Sequence, residues 1–290
     1  MDVTVRPLTA GDIAAARTVQ NNAFATYGSD HDHPSPPITD DVLARQARRF
    51  EHFLTHDADG SWVAVVEDAV IGTALALRRE SLWGLSLLVV EPAMQSHGVG
   101  RQLLDAALTY TEGATQAVIL SSRDPRAMRA YAGAGFALHP QVSARGTIER
   151  SVLPRLTRVA SGDVSRVGWA DEIDRVVRGS ARGPDHVILN DLAQMYVVDD
   201  VDGRGYAYVR RHDGRIVTVA ATDDDTATDL LWQCLATEHE GEREVEHVNG
   251  VQQWAIRVAV AARLRLEPAG PVFWRGRTPP HAYLPDGAFL

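Results

Sequence analysis

Leu87 to Leu108 read "LLVVEPAMQSHGVGRQLLDAAL". An apolar run ends at Val90, Glu91-Pro92 breaks it, and beyond Gly98 and Gly100 apolar residues return at helical spacing. The stretch is a strand handing over to a helix. A helix that starts there has four N–H groups without a partner inside it, and its dipole adds partial positive charge at the same end. Gly98 and Gly100 take side chains out of the turn, so another backbone or a phosphate can approach. Gln95, His97 and Arg101 surround it with donors, and no acid stands between Ala93 and Leu104. The turn has the chemistry of a phosphate or pyrophosphate cradle; the plain alternative is a tight turn that binds nothing. Two named phosphate motifs do not fit. GxxxxGK[ST] is absent, and the dinucleotide fingerprint needs a third glycine where Leu103 stands.

Working upstream, "SWVAVVE", "AVIGTALALR" and "LWGLSLLVV" read as three successive strands, the first two joined across the short turn "EDAV". Before them, "DVLARQARRFEHFLTH" is amphipathic, with Leu43, Ala47, Phe50 and Leu54 three and four apart. "GSDHDHPSPPITD", residues 28–40, is a loop by composition. "IAAARTVQNNAFATY" reads as a helix behind the strand "VTVRPL", and Thr9 with Asp12 resembles a capping box. Downstream come the strand "QAVILSS", the helix "PRAMRAYAGAG" and a strand from Phe136. The order β-α-α-β-β-β-α-β-α-β gives an α/β (α+β) fold, a mixed sheet covered by helices.

From Arg158 the pattern runs a second time, and residues 195–275 echo 61–145 element for element. The chain reads as a tandem of one fold, residues 1–150 and 151–290, joined near 148–158. At the turn equivalent to "QSHGVG" the second half has "VAATDDDTATDLL". Asp223, Asp224 and Asp225 favour a helix dipole and repel a pyrophosphate. The second half is expected to be degenerate, without a cofactor. The apolar tail "HAYLPDGAFL" is expected to dock on the body.

Composition bounds the function. At 290 residues with 45% hydrophobic and 23% charged, the chain is an ordinary globular protein with room for two domains. A formal charge of −9 argues against non-specific nucleic-acid binding. Cys234 is the single cysteine, so no intrachain disulfide is possible and a reducing compartment is expected. The start "MDVTVRPLTAGD" is not that of a signal peptide, and no apolar run approaches the ~20 residues of a membrane span. A cytoplasmic protein, monomeric or homodimeric, is expected.

"QSHGVG" is similar to the Q/R-x-x-G-x-G/A signature of the GCN5-related N-acetyltransferases, on Gln95, Gly98 and Gly100, with Pro92 six residues before the first glycine. "DPRAMRAYAGAGF" resembles the family's N-x-x-A-x-x-x-Y-x-x-x-G-F segment at Ala127, Tyr131, Gly135 and Phe136. The element order is the family's order too, and the resemblance covers residues 1 to about 147. It implies acyl transfer from acetyl-CoA to an amine. It also implies that the amides of His97, Gly98, Val99, Gly100 and Arg101, with Gln95 and Ser96 alongside, hold the CoA pyrophosphate. Leu88, Val89 and Val90 would bind the pantetheine arm. Asp124 departs from the pattern, standing where the family has Asn, and can accept the pantetheine amide's hydrogen bond but not donate one.

The resemblance puts Tyr131 at the position of the thiolate-protonating acid, with an ordinary tyrosine pKa of about 10. Glu91 is the candidate base beside the cofactor strand, against a structural role for it and for Glu80, or a water chain in place of any base. "DHDHP", Asp30 to Pro34, lacks the support a metal's ligands need, and no metal is expected. In this fold the loop borders the acceptor site, so Asp30 and Asp32, with Asp40 and Asp41, would attract a cationic small-molecule amine. Two rivals stay open: a CoA-binding regulatory or interaction module without turnover, and transfer to a protein or peptide amine.

Overall fold

A computed structural model of the protein describes residues 2–30, 37–239 and 241–290, with the side chain of Asp30 left aside. The chain forms two compact units, Met1–Arg78 with Trp83–Ala114, and Arg79–Leu82 with Thr115–Leu290.

In the first unit β1 (Thr4–Pro7), α1 (Ile13–Asp30), α2 (Asp40–His56), β2 (Ser61–Val66), β3 (Ala69–Arg79), β4 (Leu82–Val90) and α3 (Val99–Leu108) follow in order, and the strands lie β1-β2-β3-β4. The expected capping box is made: the Thr9 amide donates to Asp12 Oδ2 at 2.9 Å, and Arg6 forks the same carboxylate at 2.8 Å twice. Those bonds hold the Asp12 carboxyl well below the usual carboxylate range. Helix α1 runs on to Asp30, three residues into the segment expected to be loop. Phe50 and Phe53 seat α2, and the turn Glu67-Asp68 has positive φ at both residues, 46° and 69°, as a two-residue hairpin of right-handed twist requires. Trp83, Leu85, Leu87, Val89 and Val90 are all buried, so β4 is covered on both faces. Gly72 of β3 lets it lie close: a Cβ there would stand 2.8 Å from Leu103 Cδ1 and 3.2 Å from the Val89 carbonyl oxygen.

The second unit continues with β5 (Gln116–Leu120), α4 (Pro125–Gly133), β6 (Ala137–Gly146), β7 (Ala160–Gly162), α5 (Val167–Val177), α6 (Asp185–Leu192), β8 (Ala193–Asp199), β9 (Arg204–Arg210) and β10 (Ile216–Ala221). It ends with α7 (Asp224–Ala236), β11 (Arg243–Asn249), α8 (Gln253–Ala261), β12 (Arg265–Arg275) and β13 (Tyr283–Leu284). The two runs β1-α1-α2-β2-β3-β4-α3-β5-α4-β6 and β7-α5-α6-β8-β9-β10-α7-β11-α8-β12 have the same order.

The last strands of the two runs interleave. β12 pairs with β5 and with β6, and β6 pairs in turn with β11, giving β5-β12-β6-β11, antiparallel throughout. Each run's final strand therefore separates the other run's last two. A second sheet, β13-β10-β9-β8-β7, packs with α7 and α8 on a core that includes Leu230, Leu231, Trp254 and Val258. "PDHVILNDLAQM" is helical only to Leu192; Ala193, Gln194 and Met195 already belong to β8, where Ala193 and Met195 are wholly buried. The tail docks as expected: β13 pairs with β10, and Leu290 packs on Leu82, Val118, Val272 and Trp274.

Candidate functional site

Beyond Val90 the chain is fixed by its own polar atoms. The Glu91 amide donates to the Ile71 carbonyl at 2.8 Å, Pro92–Met94 make one tight turn, and Gln95 Nε2 donates back to the Val90 carbonyl at 3.1 Å. His97 Nδ1 lies 2.7 Å from the Gln95 carbonyl oxygen. Ser96 and Gly98 both have positive φ, 64° and 82°. Gly98 is the residue before α3, no side chain caps this helix, and no acid stands in its first turn. The Arg101 and Gln102 amides both donate to the Gly98 carbonyl at 3.1 Å, and those of Val99 and Gly100 precede the helix's first internal bonds. A Cβ at Gly98 would meet nothing within 4 Å, and one at Gly100 would lie 3.7 Å from Val90 Cγ2. What Gly98 supplies is its left-handed conformation, which a side chain strains, and open space above it. Arg101 is exposed and pairs with Asp105 at 2.8 Å, one turn along α3. Ahead of the turn, Val89 and Val90 are buried and Leu88 is half-buried.

Glu91 is half-buried, and its Oε1 accepts from Asn22 Nδ2 at 2.9 Å. Glu80 is tied down: it accepts from the Ala181 amide and from Arg175 Nε, each at 2.9 Å, which holds its carboxyl below the usual range. Asp40 and Asp41 are exposed in the first turn of α2, where the helix dipole favours them. Asp32, the side chain of Asp30 and most of "DHDHP" lie outside the described residues.

In the second unit the "DPRAM" segment opens α4. Asp124 is the residue before the helix; it accepts from the Arg126 amide at 2.8 Å and is forked by the Arg126 guanidinium at 2.8–3.1 Å. Burial works against its charge, but these bonds prevail and lower its pKa. The Asp-Pro pair at a helix start is itself a capping signal. Ala127 and Tyr131 are one turn apart on α4, Ala127 half-buried and Tyr131 6% exposed. The Tyr131 ring stands edge-on to Phe273 of β12. Burial, and then the Asp124 charge, push its pKa well above the ordinary value of about 10 expected from its sequence position. It is a donor that keeps its proton.

The equivalent turn of the second run is filled from within. Asp223 accepts from the Thr226 amide and from Thr226 Oγ1, both at 2.8 Å, while His281 Nδ1 lies 2.9 Å from Asp224 Oδ1. Asp224 and Asp225 occupy the first turn of α7.

A buried polar cluster went unread in the sequence. Asp174 Oδ1 accepts from the Tyr206 hydroxyl at 2.7 Å, and Asp174 Oδ2 lies 3.1 Å from His186 Nε2 and 3.7 Å from Arg182 Nε. Asp171 accepts from the amides of Arg182 and Gly183. Asp171, Asp174 and His186 are close enough to share a cation. The wholly buried Arg182 already supplies the positive charge at that spot, so the cluster is an ion-paired core. Its members come from α5, α6, β9 and the loops between, and each looks like surface charge when read locally; the i, i+3 spacing of Asp171 and Asp174 was the available hint.

Residues 39–148 match the family model described as "Acetyltransferase (GNAT) domain". No curated protein matches the chain. Among solved structures, the chain is similar to a putative acetyltransferase from Pyrococcus horikoshii, at 17% identity and TM-score 0.75 over 99% of this chain and 95% of that one. It is similar to a GCN5-related N-acetyltransferase from Sphaerobacter thermophilus, at 13% identity and TM-score 0.55 over 99% and 98%. A third, from Kribbella flavida, is 14% identical with TM-score 0.59 over 94% of this chain and 71% of that one. At these identities the likeness is one of fold, and with the first two it runs the full length of both chains.

Proposed function

We propose, from the match of residues 39–148 to the acetyltransferase (GNAT) domain model, that the protein is an N-acetyltransferase moving an acetyl group from acetyl-CoA to a primary amine of a small molecule. The observation that carries the reading is the start of α3: left-handed Gly98, open space above it, no capping side chain and no acid in the first turn. Helix amides in that state suit a pyrophosphate. His97 to Arg101, with Gln95 and Ser96, would hold the phosphates, and Leu88 to Val90 would take the pantetheine arm; Ala127 and Tyr131 of α4 are proposed as cofactor residues from the motif alone. Asp124 contributes by fixing the start of α4, since its carboxylate is already engaged by Arg126.

Acetyl-CoA supplies the thioester. The residues' share is to orient it, keep the amine neutral and return a proton to the departing sulfur. Tyr131 is the proposed general acid, because it stands at the motif position and burial raises its pKa, so its hydroxyl retains its proton. Glu91 is the candidate base, oriented by Asn22. Asp30 and Asp32 would draw a cationic amine to the acceptor side. No metal has a part in this reading.

The repeats we propose are 1–150 and 151–290, the second a degenerate copy in which Asp223 occupies the phosphate position. No described helix is long and apolar enough to cross a membrane. A cytoplasmic monomer or homodimer fits the reading.

The test is thiol release from acetyl-CoA against a panel of amines, with calorimetric binding on the wild type and on the Gly98→Asp, Gly100→Asp double variant. Turnover with a small amine, and one-to-one binding lost in the double variant, support the proposal. Binding without turnover on small or peptide amines leaves the regulatory module; turnover on peptides alone leaves the protein acetyltransferase.

A further inference from the structure

A bulge in β11 sets an imidazole beneath the tail of the chain. Val245 faces Ala144 of β6 and Val248 faces Val142, so Glu246 and His247 together oppose the single residue Ser143. His247 takes φ 61°, a left-handed backbone uncommon for a residue with a side chain. Gln141 Nε2 donates to its carbonyl at 2.9 Å and fixes it there. The ring's Nε2 is sealed from solvent and has no hydrogen-bond partner among the described residues. Gly287 passes over it: a Cβ there would stand 3.5 Å from Nε2 and 3.6 Å from Arg215 Nη2.

Three charged groups act on the ring: Glu246 beside it on β11, Arg215 from the turn before β10, and Asp286 in the tail. Both acids already have partners. Glu246 is paired with Arg215 at 2.6 Å, and Asp286 Oδ2 accepts from the Phe289 amide at 3.0 Å. A neutral imidazole can leave Nε2 without a proton, whereas an imidazolium carries one on each nitrogen. Charging the ring therefore puts a buried N–H without an acceptor under Gly287, and a second cation near Arg215. Burial first, with Arg215 contributing, holds the His247 pKa below the ordinary histidine range, against the pull of Glu246 and Asp286.

The segment above the ring is docked at several points. The Leu290 amide donates to the Asp286 carbonyl at 2.8 Å, and the Phe289 carbonyl accepts from Arg182. Leu290 covers Leu82, Val118, Val272 and Trp274. We propose that His247 is an acid-sensitive latch: neutral, it lets residues 286–290 lie over the β11 bulge, and its protonation lifts them and uncovers the apolar residues under Leu290. The latch is independent of the acyl-transfer reading, since it uses none of the residues assigned to acetyl-CoA.

The sign follows from linkage. With the tail lifted, His247 titrates near its ordinary value of about 6.5, and with the tail docked it titrates lower. Below that pH the open form binds a proton that the docked form refuses, so acid favours opening, by up to about tenfold at pH 5.5. The experiment follows hydrogen exchange of the Phe289 and Leu290 amides in the full chain at pH 7.5 and pH 5.5, each rate divided by the intrinsic rate at that pH. Wild type should lose protection severalfold at pH 5.5. His247→Asn tolerates the left-handed backbone and does not titrate, so it should keep the same protection at both pH values. Unchanged protection in wild type overturns the proposal, as does an equal loss in His247→Asn. If the Asn variant does not fold, an NMR titration of wild type in which His247 ionises at or above about 6.5 overturns it.

Discussion

Tyr131 of α4 meets Phe273 of β12 edge to face, with ring centroids 5.5 Å apart and planes at 72°. The proposed acid therefore rests on a strand from the far end of the chain, one that lies between β5 and β6. A fragment ending at residue 150 would leave β5 and β6 without the strand that joins them, with apolar edges exposed. That fragment is expected to be insoluble or molten by size exclusion and near-UV circular dichroism. In the full chain Phe273, wholly buried, should cost about 3–5 kcal/mol when cut to Ala, read as a fall in the urea midpoint. A well-folded fragment 1–150 would show that the interleaving is dispensable.

The burial of Tyr131 sets a second expectation. Tyr131→Phe should lower kcat on the order of 10²-fold or more, as loss of a general acid does, while binding of acetyl-CoA stays near wild type. The linkage has a definite sign. Tyr131, Tyr206 and Tyr208 all have pKa values raised in the fold, with burial the first cause in each. An unfolded tyrosine ionises near 10, so above that pH the unfolded chain releases protons that the folded chain keeps. Stability is then fully present below about pH 10 and falls as pH climbs past it. Urea melts at pH 9 and pH 10.5 should show a lower midpoint at the higher pH; equal midpoints would refute it.

Gly98 and Gly100 should separate fold from binding. Gly98→Ala places a side chain at φ 82°, costing about 1–2 kcal/mol although nothing lies within 4 Å of its Cβ. Gly100 is inside α3 without positive φ, and its Cβ would make an ordinary 3.7 Å contact with Val90. Gly100→Ala should therefore be neutral, or stabilising by about 0.5–1 kcal/mol. Both should weaken acetyl-CoA binding in calorimetry, because each adds a methyl group to the proposed cradle. An unweakened affinity in both variants would move the phosphate site elsewhere.

How much of this could be read from the chain depends on the range of the interaction. The turn around Gly98, the hairpin at Glu67-Asp68 and the repeated element order rest on neighbouring residues, so spacing and turn chemistry exposed them. The contact of Tyr131 with Phe273, and with it the raised pKa, depends on where β12 inserts, which no local pattern encodes. Arg178 and Asp174 read as surface charges on an amphipathic helix, and only the packing of β9 and the tail buries their neighbourhood. Asp124 is a different case: the Asp-Pro cap is a local signal, while the family pattern at the same position points to a cofactor contact.

Asp223 tests the degenerate repeat. Its carboxylate accepts from the Thr226 amide and hydroxyl at 2.8 Å, so it already serves α7 as a cap. A Cβ at Gly203 would fall 2.3 Å from Asp223 Oδ2 and 2.0 Å from Thr226 Oγ1, which leaves the neighbouring loop no room for a bulkier occupant. Asp223→Ala should destabilise the protein by about 1 kcal/mol, the usual worth of such a cap, and should leave one acetyl-CoA bound per chain. The turn is expected to stay closed to a pyrophosphate after the substitution, because Asp224 and Asp225 keep negative charge on the first turn of α7. Calorimetry giving a second bound acetyl-CoA in Asp223→Ala would mean that the second repeat lost its ligand through this residue alone. A second site already present in the wild type would mean that the repeat is not degenerate.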